Sequence, residues 1–211
     1  LRQLYREHFS HKPQDIIDYW AMYFMAVIET NPVRANFLAA QVFAHAPDKR
    51  MDIRWYFNRS IPADEVAPLA KSNEELANIY LMYGVRKSDW ALQYMQQVYR
   101  ANPQSEGLGL LLLREVNKIE DWLLTPQYAM FLPSIREDYW ENNDNTRILQ
   151  RVETDRNYAR KVLDFVSHAD LKRVENPDFW RLSEAYLLFL TKDHDNALRK
   201  MAALAPRLAA K

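Results

Sequence analysis

The chain of 211 residues contains no cysteine. Disulfides, thiolate metal sites and a cysteine nucleophile are therefore excluded. The compartment stays open, because a cysteine-free chain suits the cytoplasm and the bacterial periplasm equally. Glycine is nearly absent too, with only Gly84, Gly107 and Gly109. A phosphate-cradling glycine loop is hard to build from so few, and a many-turned β fold is disfavoured. Charge of one sign is also missing: 28 basic residues balance 28 acidic ones. No sequence-wide attraction to nucleic acid or to anionic lipid follows from that balance, and no nucleic-acid partner is expected. No stretch approaches the ~20 apolar residues of a membrane span. The longest apolar cluster, Leu108 to Leu113, contains Gly109 and ends at Arg114.

What the chain does have is apolar residues at helical spacing, rich in aromatics: six Trp, twelve Tyr and nine Phe. The spacing predicts helices over Leu1–Ser10, from Pro13 through Val27, from Pro32 to before Pro47, and over Lys49–Arg59. Ser60–Ala70 reads as a loop with one helical turn. Ser72 with Glu75 three residues on forms a capping box for a helix that Gly84 would close. Ser88 would cap the next helix. A longer one starts at Ser105 and is broken at Thr125-Pro126. Gln127–Leu132 adds a turn, Ser134 opens a helix with Tyr139 and Trp140, and Glu141–Asn145 is a polar loop. Thr146–Val166, a short helix over Ala169–Val174, and the hairpin Asp178–Leu190 with Asn196–Leu208 complete the reading. No run alternates strictly enough to be a strand. The fold class is all-α, with about ten helices.

One pattern recurs. Ala35, Ala39, Val42 and Pro47 stand at intervals of four, three and five, and so do Ala91, Met95, Val98 and Pro103. Ala197, Met201 and Leu204 repeat the first two intervals. Slender apolar residues at i, i+4 and i+7 line one helix face, and the proline closes the following turn. These three returning helices resemble the second helix of a tetratricopeptide hairpin. The resemblance is to the broad tetratricopeptide-like class, since the copies are unevenly separated where a regular array repeats every ~34 residues. It implies a right-handed α-α superhelix of stacked antiparallel hairpins, forming a single helical-repeat domain over residues 1–211. A non-Met start already inside a helix is expected of a piece excised from a longer protein.

Several clusters invite a chemical reading. On the long helix Arg114, Asn117, Lys118 and Asp121 share one face, with Trp122 beside them. Arg114 and Asp121 are two turns apart, so each needs a partner elsewhere. This set is the candidate binding site, a polar recognition groove; the plainer reading is a network that satisfies a helix packed on both sides. His8 and His11 have the spacing of two metal ligands, but no third ligand is implied locally, and no metal is assigned. Asp193-His194-Asp195 sits in a turn where Asp195 or Asn196 would cap the last helix. The adjacent acids Glu74-Glu75, Glu120-Asp121 and Glu137-Asp138 point about 100° apart on a helix, so adjacency is no evidence of acid–base catalysis. The recurrent aromatics would either fill the core or line a concave face. The resemblance and the lack of a catalytic constellation imply a non-catalytic scaffold module that binds a protein or peptide, with no cofactor. The alternative is a helical domain of a carbohydrate-active or other enzyme, with a polar and aromatic cleft around Arg114–Asp121.

Overall fold

In the computed structural model the described residues are 2–9, 15–128, 133 and 145–209. The expected turn at Gln127–Leu132 lies largely outside them; the helix after Ser134, the polar loop and Pro13 lie outside them. The described residues form eleven helices and no strand: α1 (Arg2–His8), α2 (Ile16–Ile28), α3 (Pro32–His45), α4 (Arg50–Tyr56), α5 (Ala63–Val66), α6 (Asn73–Arg86), α7 (Leu92–Ala101), α8 (Glu106–Tyr128), α9 (Asn145–His168), α10 (Pro177–Leu190) and α11 (His194–Ala209). The protein is all-α.

The helix starts are written in local chemistry. Asp15 accepts the backbone N–H groups of Ile17 and Asp18 ahead of α2. Asn31 does the same for Val33 and Arg34, with Pro32 in the first turn of α3, where its missing N–H costs nothing. Asn176-Pro177 repeats the device at α10. Ser72 caps α6 by accepting from Glu75 N at 3.1 Å, while the Glu75 carboxylate reaches one residue further back than a standard box, to Lys71 N at 2.6 Å.

Antiparallel hairpins α2/α3, α6/α7 and α10/α11 are the tightest pairings, and α8/α9 forms a fourth. Each hairpin touches the next: α3 packs on α6, α6 and α7 on α8, and both α8 and α9 on α10. The slender residues sit in these seams. Ala39, Val42, Met95 and Val98 are completely buried, as nearly are Ala91, Ala197 and Leu204, while Ala35 is half-buried and Met201 exposed. Ala39, Val42, Met95 and Val98 join Ile53, Ile79, Met82, Leu111 and Ile119 in one hydrophobic core shared by the helices. Each such large side chain contributes about 1.5–3 kcal/mol on burial.

Five boundaries differ from the sequence expectation, each for a physical reason. Gly84 does not close α6, which continues to Arg86. It is buried because a Cβ there would come 2.8 Å from Leu111 Cδ2 and 3.2 Å from Tyr94 Cβ, so glycine permits α6, α7 and α8 to meet. Pro126 does not break α8, which runs to Tyr128; in the last turn the proline removes only one helical hydrogen bond. Ser88 does not cap α7: the helix starts later, behind Ala91. Ala169–Val174 is a turn, not a helix. Asp193, not Asp195 or Asn196, caps α11, accepting from Asn196 N at 3.4 Å and from its side-chain amide at 2.6 Å.

Candidate functional site

The face of α8 singled out from the sequence divides between the interior and the surface. Lys118 and its neighbour Glu115 are fully sealed, each with 0% side-chain exposure. The Lys118 ammonium lies 2.5 Å from Glu115 Oε1 and donates to the Asp89 carbonyl at 2.6 Å. Tyr158 of α9 donates its hydroxyl proton to Glu115 Oε2, and the Tyr158 hydroxyl oxygen accepts from Ala91 N at 3.0 Å and Leu92 N at 2.9 Å. The start of α7, which has no side-chain cap of its own, is thus capped across the fold. Trp90 stacks on Tyr158 with ring centres 5.4 Å apart and donates to Asp155 at 3.0 Å. Arg151 closes the network by bonding Asp155 at 2.9 Å and Asp89 at 2.8 Å. Buried Trp122 lies beneath it, its ring 5.5 Å from the Lys118 ammonium.

Burial is the dominant force on these groups. It pushes the Lys118 pKa down despite the Glu115 charge. It pushes Asp155 up despite the hydrogen bond from Trp90 and the Arg151 charge. Tyr158 is raised, first by burial and then by Glu115. Such a hydroxyl stays protonated and serves as a fixed bridge. Lys118 and Trp122 therefore belong to a structural network rather than to an open groove.

The other residues face outward. Asp121 accepts from Thr125 Oγ1 at 2.7 Å. Arg114 is half-buried, with its Nε shielded from solvent and unbonded. Exposed Asn117 sits on the wall of a different feature, a groove of about 730 Å³. α10 supplies its floor with Leu182, Tyr186 and Phe189; α8 supplies one wall with Leu113, and α11 the other with Leu198 and Met201. Leu182, Tyr186 and Phe189 follow one helical face, as do Leu198 and Met201. Polar atoms enter the lining only from Asn117, Ser183, His194 and the Tyr186 hydroxyl. Leu198 is 70% exposed. Tyr186 sits at the rim, its pKa pushed up to about 12 by burial first and then by the charge of Glu120 and their hydrogen bond.

Sequence reading reached one wall of this groove, through Asn117, and missed the rest. The missed residues are ordinary Leu, Phe and Met on three helices; Met201 stands where its counterparts Ala39 and Met95 are buried, and nothing local marks the difference. The aromatics divide: Trp122 and Trp180 fill the core, whereas Trp20, Trp55 and Trp90 are exposed; Tyr139 and Trp140 lie outside the described residues. Among the described residues no three His, Asp or Glu side chains gather as metal ligands; His11 lies outside them. No described helix is long and apolar enough to cross a membrane.

Compared with known protein families, curated proteins and solved structures, the chain matches none.

Proposed function

We propose that this chain is a non-catalytic protein-binding module, a tetratricopeptide-like right-handed α-α superhelix whose α8/α10/α11 groove receives an amphipathic helix of a partner protein. The observation that carries this reading is the groove itself, a carbon-lined trough with helices for both walls and floor. Side-chain rows on three helices present ridges and furrows at helical spacing, the relief into which another helix packs. A continuous apolar trough of this kind marks an interaction surface more than a reaction site. The sealed Glu115–Lys118–Tyr158 network supports the same reading, because its acid and base are spent on holding α7, α8 and α9 together.

A display selection of helical peptides against the intact chain tests it. Selected peptides are expected to carry apolar residues at i, i+4 and i+7, and to bind at least tenfold more weakly to the Leu198→Glu, Met201→Glu double variant. Both positions are exposed, so the fold should survive the change. Selected peptides that bind wild type and double variant equally would sink the proposal.

A further inference from the structure

Four arginines converge near the junction of the second hairpin with α8. Arg54 comes from α4, Arg59 from the loop after it, Arg86 from the last turn of α6 and Arg114 from α8. The Nε atoms of Arg54, Arg86 and Arg114 are all shielded from solvent and have no hydrogen-bond partner among the described residues. Among the described residues the charges that act on Arg86 are positive: after burial, the Arg54, Arg59 and Arg114 guanidiniums hold its pKa below the usual arginine range. The contacts that Arg54 does make are weak, a sulfur of Met51 at 3.9 Å and the Trp55 ring at 5.6 Å. Such an arrangement is unfavourable twice over. Like charges repel, and guanidinium N–H groups lose water without gaining an acceptor. The arginines stand beside a cleft of about 590 Å³ lined by Phe57, Arg59, Tyr83, Arg86, Lys87 and Tyr94. Tyr83 is fixed there, donating to the Ile61 carbonyl at 2.7 Å and accepting from Asn36 at 3.2 Å, so its ring forms a rigid wall.

We propose that this cleft binds a phosphate monoester, with Arg59 and Arg86 as its direct ligands and Arg54 and Arg114 supplying further positive field. A dianion relieves both defects at once. Its oxygens accept from the unpaired Nε–H of Arg86, and its two charges offset repulsion that one carboxylate would only half cancel. Tetrahedral oxygens also meet guanidinium forks arriving from separate elements, whereas a planar carboxylate aligns with one fork. The chain as a whole carries no net charge and the positive set is confined to one cleft, which favours a single phosphate group over a tract of nucleic-acid backbone. The phosphate could be carried by a phosphorylated side chain of a partner protein or by a small molecule. The site draws on α4, α6, α7, the loops beside them and, through Arg114, on α8; its cleft shares no lining residue with the apolar groove.

Titration calorimetry at constant ionic strength tests this, using inorganic phosphate, a phosphoserine peptide, the same peptide with serine, and sodium chloride as control. Saturable binding of phosphate or phosphopeptide, absent with chloride and with the serine peptide, is expected. Arg86→Gln and Arg59→Gln, the latter at an exposed position, should each weaken it at least tenfold, while Lys161→Gln on the outer face of α9 and Leu198→Glu in the groove should leave it unchanged. Unliganded Arg86→Gln should melt at or above the wild-type temperature, because it relieves repulsion. A phosphopeptide at least tenfold tighter than inorganic phosphate assigns the group to a partner protein; equal affinities assign it to a small phosphate compound, and both results uphold the site. The proposal is overturned by phosphate binding no stronger than chloride, by affinity unchanged in Arg59→Gln, or by a lowered melting temperature in Arg86→Gln. A short single-stranded oligonucleotide that binds more tightly than both inorganic phosphate and the phosphopeptide would also overturn it, in favour of a nucleic-acid site.

Discussion

Glu115 and Lys118 are shut inside the fold, and every charge around them has a counterpart: Asp89 and Asp155 face Arg151, and Tyr158 bridges the rest. Arg114, one residue before Glu115, belongs to a set in which three guanidinium nitrogens have no acceptor. The two regions lie along one helix and differ in what can reach them. A charge buried in a medium of low polarity must be matched by the chain itself, because neither water nor a ligand can do it later. A charge at the edge of a cleft can be left unmatched for a molecule that arrives. The first region therefore reads as construction, and the second as provision for a ligand. Mutations that remove one charge from each should have opposite consequences.

The largest effect is expected from the sealed side. Lys118→Met leaves Glu115 buried without its counter-ion, a loss of about 3–5 kcal/mol in unfolding free energy. Urea denaturation measures it. The Glu115→Leu, Lys118→Met double variant removes both charges and should recover most of that loss, since an apolar pair of similar volume often replaces a buried ion pair without penalty. A single variant within 1 kcal/mol of wild type would mean that the pair is not what holds α8 against its neighbours.

A smaller loss on the same side should follow Tyr158→Phe. The ring stays, so the stack on Trp90 is kept. Its hydroxyl goes, and with it the shared acceptor for Ala91 N and Leu92 N and the donor to Glu115. The expected cost is about 1–3 kcal/mol, the range for leaving buried polar groups unsatisfied. Hydrogen exchange at Ala91 and Leu92 should accelerate more than exchange in the α10/α11 hairpin. Uniform acceleration would show that the hydroxyl is not a local cap for α7.

How far the two regions could be read from sequence follows the same physical division. Helices, the Ser72 cap and the slender residues in the seams are local or periodic, and the chain declares them: Ser72, Ala39 and Val98 all do what their spacing implies. Helical spacing puts Lys118 and Asp121 on one face, yet Lys118 is sealed and donates to the Asp89 carbonyl while Asp121 accepts from Thr125. No local pattern contains that choice. Tyr158 caps a helix that begins 66 residues earlier in the chain. The arginine set gathers positions 54, 59, 86 and 114, whose separations follow no helical period. Met201 repeats the spacing of Met95 but ends in the groove, because no described element covers that side of α11. Contacts set by the packing of whole hairpins are written in no single stretch of sequence.

The smallest expected change lies on the open side. Arg114→Gln keeps a long, half-buried polar side chain but removes one positive charge from around Arg86. No salt bridge is broken, so the usual reason for destabilisation is missing. Stability should stay within about 0.5 kcal/mol of wild type, the range for surface changes away from special features, or rise slightly. Salt adds a second reading. In wild type, raising the ionic strength screens the repulsion among the four arginines, so part of any stabilisation by sodium chloride comes from this set. That part should shrink in Arg114→Gln while the response of Lys118→Met to salt is governed by its buried, poorly screened carboxylate. If Arg114→Gln instead costs as much as Tyr158→Phe, Arg114 is a structural tie, and the contrast between a closed and an open region of charge on α8 is lost.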